Sequence, residues 1–285
     1  LIWPEQGLGD EILFAGIFPD LAGLDGPVTV ECEPRLLPLF TRSFPHLRVA
    51  PAGATVAADM QIAAGSLPRL ARRSLGRFSG APWLRADAAR LAEWRRVLSR
   101  GRPALNVGFC WRSGLKGGER TGLYPALTDF APLFALPGIR WVPLQYDLDD
   151  LATDAELAAG LPAGIDLYRP DIDLRDDLDG VAALAGALDL VISAATAVSE
   201  LAGAIGVPVW RVGSADDWTQ LGTAVRPWFG GMRCYTDAGG TSYSTVLARM
   251  ARDLRRLLPE AEGVGDVTAL TDQGAALLRA GRAAE

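Results

Sequence analysis

Leu1-Ile2-Trp3-Pro4-Glu5-Gln6-Gly7-Leu8-Gly9-Asp10, continuing into Glu11-Ile12-Leu13-Phe14-Ala15, opens the chain and decides how the rest is read. A short apolar run, two glycines one residue apart, an acidic residue and an amphipathic segment predict a strand, a tight loop and a helix whose first turn holds Asp10. In an open α/β sheet such a loop lies at the carboxyl end of a strand, where ligands bind. Gly7 and Gly9 allow backbone angles and close approaches that a Cβ would forbid. Asp10 and Glu11 oppose an anion at that helix end, so a phosphate belongs elsewhere. Two readings of Asp10 stand side by side: a carboxylate that takes the proton of a neutral hydroxyl, or an ordinary N-terminal cap favoured by the helix dipole.

Outward from this stretch, short apolar runs alternate with helical patterns, as βαβ units require. Strands are predicted at 28–32, 47–49 and, more weakly, 59–63, with helices at 34–43, 66–74 and 86–99. Arg100-Gly101-Arg102-Pro103 breaks the last helix, and the alternation restarts. Further strands are predicted at 105–111, 140–145, 165–168, 190–194 and 207–212, and helices at 127–135, 178–188, 196–205 and 243–257. One architecture is thus written twice, with 1–102 and 103–258 as the expected domains and a ligand cleft between them. The stretch 259–285 turns to Gly, Ala, Glu and Asp, which predicts a weakly packed or helical tail.

The 285 residues, 49% of them hydrophobic, supply ample core. A net charge of -6 gives no electrostatic footprint for nucleic acid or an anionic membrane. Arginines cluster at 69, 72, 73 and 77 and again at 249, 252, 255 and 256, where a solvated helix face accounts for them. Cys32, Cys110 and Cys234 are odd in number and widely spaced, as expected of reduced thiols in a cytoplasmic protein. No zinc-ligand spacing is present, and His46 is the single histidine, so acid-base chemistry falls to carboxylates. Asp189 and Glu200 interrupt the most apolar region, 181–210, which argues against a membrane span. No signal-peptide pattern is read in these residues, and the sequence opens without Met, which leads us to expect a piece cut from a longer protein.

If the second sheet is parallel, three of its strand ends converge. After Trp111 come Arg112-Ser113-Gly114-Leu115-Lys116-Gly117-Gly118-Glu119-Arg120, polar, Gly-rich and cationic. This suits an anionic ligand, as Arg112, Ser113, Lys116 and Arg120 can bind phosphate; a plain surface loop reads equally well, and the Walker spacing is absent. Ser193-Ala194-Ala195-Thr196-Ala197 passes from strand into helix, and small residues there let a phosphate approach free N-H groups at Thr196 and Ala197. Close helix-to-sheet packing explains the same small residues. Gln145 and Tyr146 end another strand and could contact a base or ribose, as could Asp177, for which helix capping is also a sufficient reason.

Glu5 to Asp10, Val107 to Gly114, Leu144-Gln145 and Leu188 to Trp210 together resemble, in order, the glycosyltransferase domain found behind tetratricopeptide repeats in bacterial proteins. That domain is similar to the ADP-heptose:lipopolysaccharide heptosyltransferases, and its repeat-bearing members include flagellin glycosyltransferases. The resemblance implies an α/β protein of GT-B fold, with two Rossmann-like domains facing a central cleft. The N-terminal domain would take the acceptor and the C-terminal one the nucleotide sugar, without metal or other cofactor. Asp10 matches the loop aspartate proposed as general base, Gln6, Gly7 and Gly9 form the acceptor loop, and Lys116 and Arg120 lie where relatives carry phosphate-binding cations. Where heptosyltransferases tend to have Asp-Thr-x-x-x-His, this chain has Ala195-Thr196-Ala197-Val198-Ser199-Glu200, which puts a heptose donor in doubt.

The resemblance thus implies an inverting, metal-independent glycosyltransferase acting on a Ser or Thr of a bacterial protein such as flagellin. A CMP-linked nonulosonic acid is one donor considered, although no residue here specifies it. The alternatives are a non-catalytic binding or interaction module of the same fold, a heptosyltransferase-like enzyme acting on a glycolipid, and a sugar-nucleotide epimerase. No 34-residue period occurs in the chain; if it is an excised catalytic domain, tetratricopeptide repeats are expected before Leu1, holding the protein acceptor.

Overall fold

The computed structural model describes residues 1–101, 103–113, 124–148, 150–214, 216–236 and 242–259. Two parallel sheets stand on either side of the Gly101-Pro103 break. The first holds β1 (Ile2–Trp3), β2 (Thr29–Cys32), β3 (Arg48–Pro51) and β4 (Ile62–Ala63) in the order β3-β2-β1-β4. Its helices are α1 (Leu8–Phe14), α2 (Leu37–Ser43) and α3 (Leu67–Ala71), and α4 (Ala88–Leu98) leads across to the second sheet. Strands β1 and β4 are only two residues long, because Pro4 follows one and Gly65 closely follows the other.

The second sheet comprises β5 (Leu105–Cys110), β6 (Ile139–Pro143), β7 (Asp166–Leu167), β8 (Leu190–Ala194), β9 (Val209–Gly213) and β10 (Met232–Thr236). They are ordered β10-β9-β8-β5-β6-β7 and every pairing is parallel. Helices α5 (Ala131–Phe134), α6 (Leu151–Gly160), α7 (Leu178–Gly186), α8 (Ala197–Ala204) and α9 (Tyr243–Arg255) complete it. Counted from β5, this is the doubly wound 3-2-1-4-5-6 order, with its topological switch point between β5 and β8. Burial on both faces explains the unbroken apolar reading of Leu190-Val191-Ile192-Ser193-Ala194, all five of which are buried. At the start of β8, Asp189 accepts a 2.7 Å hydrogen bond from the Asn106 N-H of β5, which fixes register. Strand β10 and helix α6 are additions to the elements that the sequence predicts.

A continuous core joins the sheets, with Ile12, Leu13 and Phe14 of α1 and Leu201 and Ala202 of α8 in one buried cluster. Trp83 and Leu84 both donate backbone N-H groups to the Ala204 carbonyl at 2.9 and 3.0 Å, while the Trp83 indole donates to the Ile12 carbonyl at 3.1 Å. Arg42 and Arg90, from the first hundred residues, pair with Asp179 and Asp177 around the start of α7. Among the described residues no helix is long and apolar enough to cross a membrane.

Candidate active site

Parallel strands deliver their carboxyl ends to one edge of a sheet, so the loops after β1, β5, β6 and β8 decide the chemistry. After β1, Gln6 takes a left-handed conformation with φ 63°, a strain of roughly 1 kcal/mol for a residue with a Cβ. The sequence assigns the unusual backbone to the glycines, but Gly7 is extended at φ -110° and Gly9 lies inside α1. The contribution of Gly9 is close approach. A Cβ there would stand 3.5 Å from both Ala197 Cα and Glu200 Cγ, so the amino-terminal turns of α1 and α8 abut across the two sheets.

Asp10 sits in that junction, half-buried, with its Oδ2 accepting the Gly7 N-H at 3.3 Å. It therefore does cap the helix. Burial pushes its carboxyl above the usual range, and the negative charge of Glu200 pushes the same way; the Gly7 hydrogen bond and Arg226 oppose them. A carboxylate raised towards neutrality is a better proton acceptor than one held low. Glu11 is engaged elsewhere, accepting the Glu33 N-H at 2.8 Å.

On the other side the switch point gathers three strand ends. Cys110, ending β5, bonds Gln145 Oε1 at 3.4 Å and lies 3.7 Å from Thr196 Oγ1, which is 3.3 Å from Ser193 Oγ. Because its hydroxyl turns back to these residues, Thr196 makes no side-chain cap on α8. The first turn of that helix keeps its free N-H character, with Ala195, Thr196 and Ala197 half-exposed rather than sealed. Gln145 is fully buried and donates to Asp147 at 2.8 Å, so it braces the crevice. Ser113 and Tyr146 approach to 3.2 Å at its rim.

Arg112 points into this crevice wall. Its guanidinium donates to Asp147 and Thr153, each at 2.8 Å, and to Glu156 at 2.8 and 3.0 Å, all within the chain. These carboxylates satisfy the cation and place it as a brace for α6. Asp177 stands apart from the cluster, capping α7 through the Gly180 N-H at 2.9 Å and pairing with Arg90. Lys116 and Arg120, and the tail beyond 259, lie outside the described residues.

Sequence reasoning misses a buried ion network behind the junction. Arg226, 2% exposed, donates to Glu200 at 2.7 and 2.9 Å and to Thr219 at 2.6 Å, and it lies 4.9 Å over the Phe229 ring. Arg211 pairs with Asp217, whose other oxygen accepts from Thr219 at 2.6 Å. No local pattern announces a pair separated by 26 residues. The one available signal is an acidic residue, Glu200, in an otherwise small and apolar helix. Beside the Gln6 loop lies a cavity of about 540 Å³ lined by residues from both halves of the chain, among them Gln6, Phe14, Phe78, Trp218 and Trp228.

No family model matches the chain. It is 35% identical over 278 residues to "Protein FlbA" of Caulobacter vibrioides, a match covering 90% of this chain and 46% of that protein. The chain thus spans about half the length of the curated relative it matches. Among solved structures, E. coli ADP-heptose lps heptosyltransferase II aligns over 95% of this chain and 98% of its own, at 13% identity and TM-score 0.58. A glycosyl transferase family 9 protein from Veillonella parvula aligns over 98% and 97%, at 13% identity and TM-score 0.57. Two parallel α/β sheets, their strand-end loops meeting across a shared junction, and these two likenesses establish the fold as GT-B.

Proposed function

We propose that the chain is an inverting, metal-independent glycosyltransferase that moves a sugar from a nucleotide donor to a hydroxyl. The observation that supports this is the abutment of α1 and α8: Gly9, next to Asp10 in sequence, packs against Ala197 in the first turn of a helix that Thr196 leaves without a side-chain cap. Asp10 accepts the acceptor's proton as its oxygen attacks the anomeric carbon, and the bond to the diphosphate or phosphate breaks on the opposite face. The departing anion gains its charge at the Thr196 and Ala197 N-H groups, with Lys116 and Arg120 as further cations and Ser113 and Tyr146 at the rim. Residues 1–102 receive the acceptor and 103–258 the donor. The acceptor, taken from the family resemblance, is a Ser or Thr of a bacterial protein such as flagellin, and a nonulosonic acid on CMP is the donor to test first.

Asp10→Asn tests the reading: turnover is lost while nucleotide binding, measured by calorimetry with CMP, UDP, GDP and ADP, stays within about threefold of the parent. Full turnover in that variant overturns the base assignment, and no binding by any of the four overturns the donor site. A heptose donor is the second reading, favoured by the fold shared with the E. coli heptosyltransferase, and a thermal shift with ADP alone selects it.

A further inference from the structure

The cavity beside the Gln6 loop adjoins a second. The first, about 540 Å³, and its neighbour, about 550 Å³, have Ser66 and Arg69 in both linings, which sets them side by side along α3 as a trough in two parts. Its inner end is an aromatic pit one helical turn from Asp10, where Trp228 meets Phe14 at 6.4 Å and Phe78 at 4.9 Å between ring centres. Its outer end runs past Ile62 of β4, the edge strand of the first sheet, with Met60 83% and Leu70 60% exposed beside it. An edge strand is where an extended polypeptide can add to a sheet, and exposed apolar side chains beside it mark a contact surface.

Three arginines, Arg69, Arg72 and Arg73, line the trough. Arg72 is engaged, paired with Asp20 and stacked 5.8 Å over Phe78. Arg69, which lines both cavities, and Arg73, which lines the outer one, form no ion pair among the described residues, in a chain whose net charge is -6. At the inner end the one lining carboxylate among the described residues, Glu5, accepts the Gly65 N-H at 3.0 Å. Resting on the transferase reading, we infer that the trough holds the acceptor as an extended polypeptide. Apolar or aromatic residues flank its hydroxyl in the pit, and acidic residues a few positions away meet Arg69 and Arg73.

The test is binding, so that it does not depend on transfer. A fluorescein-labelled extended peptide carrying Ser between Leu and Phe, followed by three Asp, is titrated by fluorescence anisotropy against the parent, the Asp10→Asn variant and Arg69→Glu/Arg73→Glu. Both substituted arginines line the outer end and lie outside the reacting groups. The parent and Asp10→Asn bind it alike, and the charge-reversed pair binds about tenfold or more weakly. A peptide with Lys in place of Asp shows the opposite order. Equal binding of both peptides by the parent, or tight Arg69- and Arg73-dependent binding of phosphatidylglycerol vesicles in place of the peptide, overturns the inference. Binding as expected with no Asp10-dependent turnover sinks the transferase reading while leaving the trough.

Discussion

Replacing Arg226 by Met removes a buried cation while keeping much of its volume. Glu200, 6% exposed, is then left with Arg211 Nε at 3.9 Å as its nearest cation, and the Thr219 hydroxyl loses its 2.6 Å donor. Removing one partner of a desolvated pair leaves an uncompensated charge and costs about 3–5 kcal/mol. In a chain of this size that lowers Tm by about 10 °C. The same group acts electrostatically on Asp10, lowering its pKa, so Arg226→Met also moves the acidic limb of turnover to higher pH. The assay is a double-mutant cycle of thermal and urea melts with Glu200→Gln. The double variant recovers a large part of the loss, because both charges leave together. A cost of Arg226→Met below about 1 kcal/mol, the scale of an exposed ion pair, would refute the claim that the network is desolvated.

Burial raises the Asp10 pKa above its ordinary value of 3.8, so the folded state binds the proton more tightly and stability falls as pH climbs from there through the raised value. Asp10→Asn therefore melts higher than the parent near neutral pH and level with it in strong acid; a gap that widens in acid contradicts the sign. At Gly9, Ala is tolerated because its neighbours stand at 3.5 Å, whereas Leu forces α1 from α8 and lowers turnover by about tenfold or more, measured with donor and acceptor saturating. Asp177→Ala removes the α7 cap and the Arg90 partner, costs about 1–2 kcal/mol in urea melts, and leaves nucleotide affinity unchanged.

The long buried strands and their glycine-marked turns are legible locally. The runs 105–111 and 190–194 are largely apolar because helices cover both faces, and the predicted helices at 178–188 and 243–257 match α7 and α9 to within a few residues. Strand β10, Met232-Arg233-Cys234-Tyr235-Thr236, escapes because an edge strand buries Met232 and Tyr235 but not strictly alternate residues, so period-two patterning fails. Helix α6 escapes because Ala and Gly dilute its apolar face, burying only Thr153 and Leu157. Arg112 is legible as a cation near the crevice, while its engagement by Asp147 and Glu156 is not, since those partners lie 35 and 44 residues on.

Local sequence settles the long buried strands β5 and β8, that their turns are small and polar, and that Asp10 lies in the first turn of a helix, because those depend on side-chain period and on residues a few positions apart. Folding in three dimensions decides that α1 and α8 touch through Gly9, that Glu200 is matched by Arg226, and that Gln6 carries the strained backbone. It also sets two cavities side by side along α3. The division has one cause: hydrogen bonding and periodicity act along the chain, whereas charge pairing and close approach act between surfaces that folding brings together from distant positions.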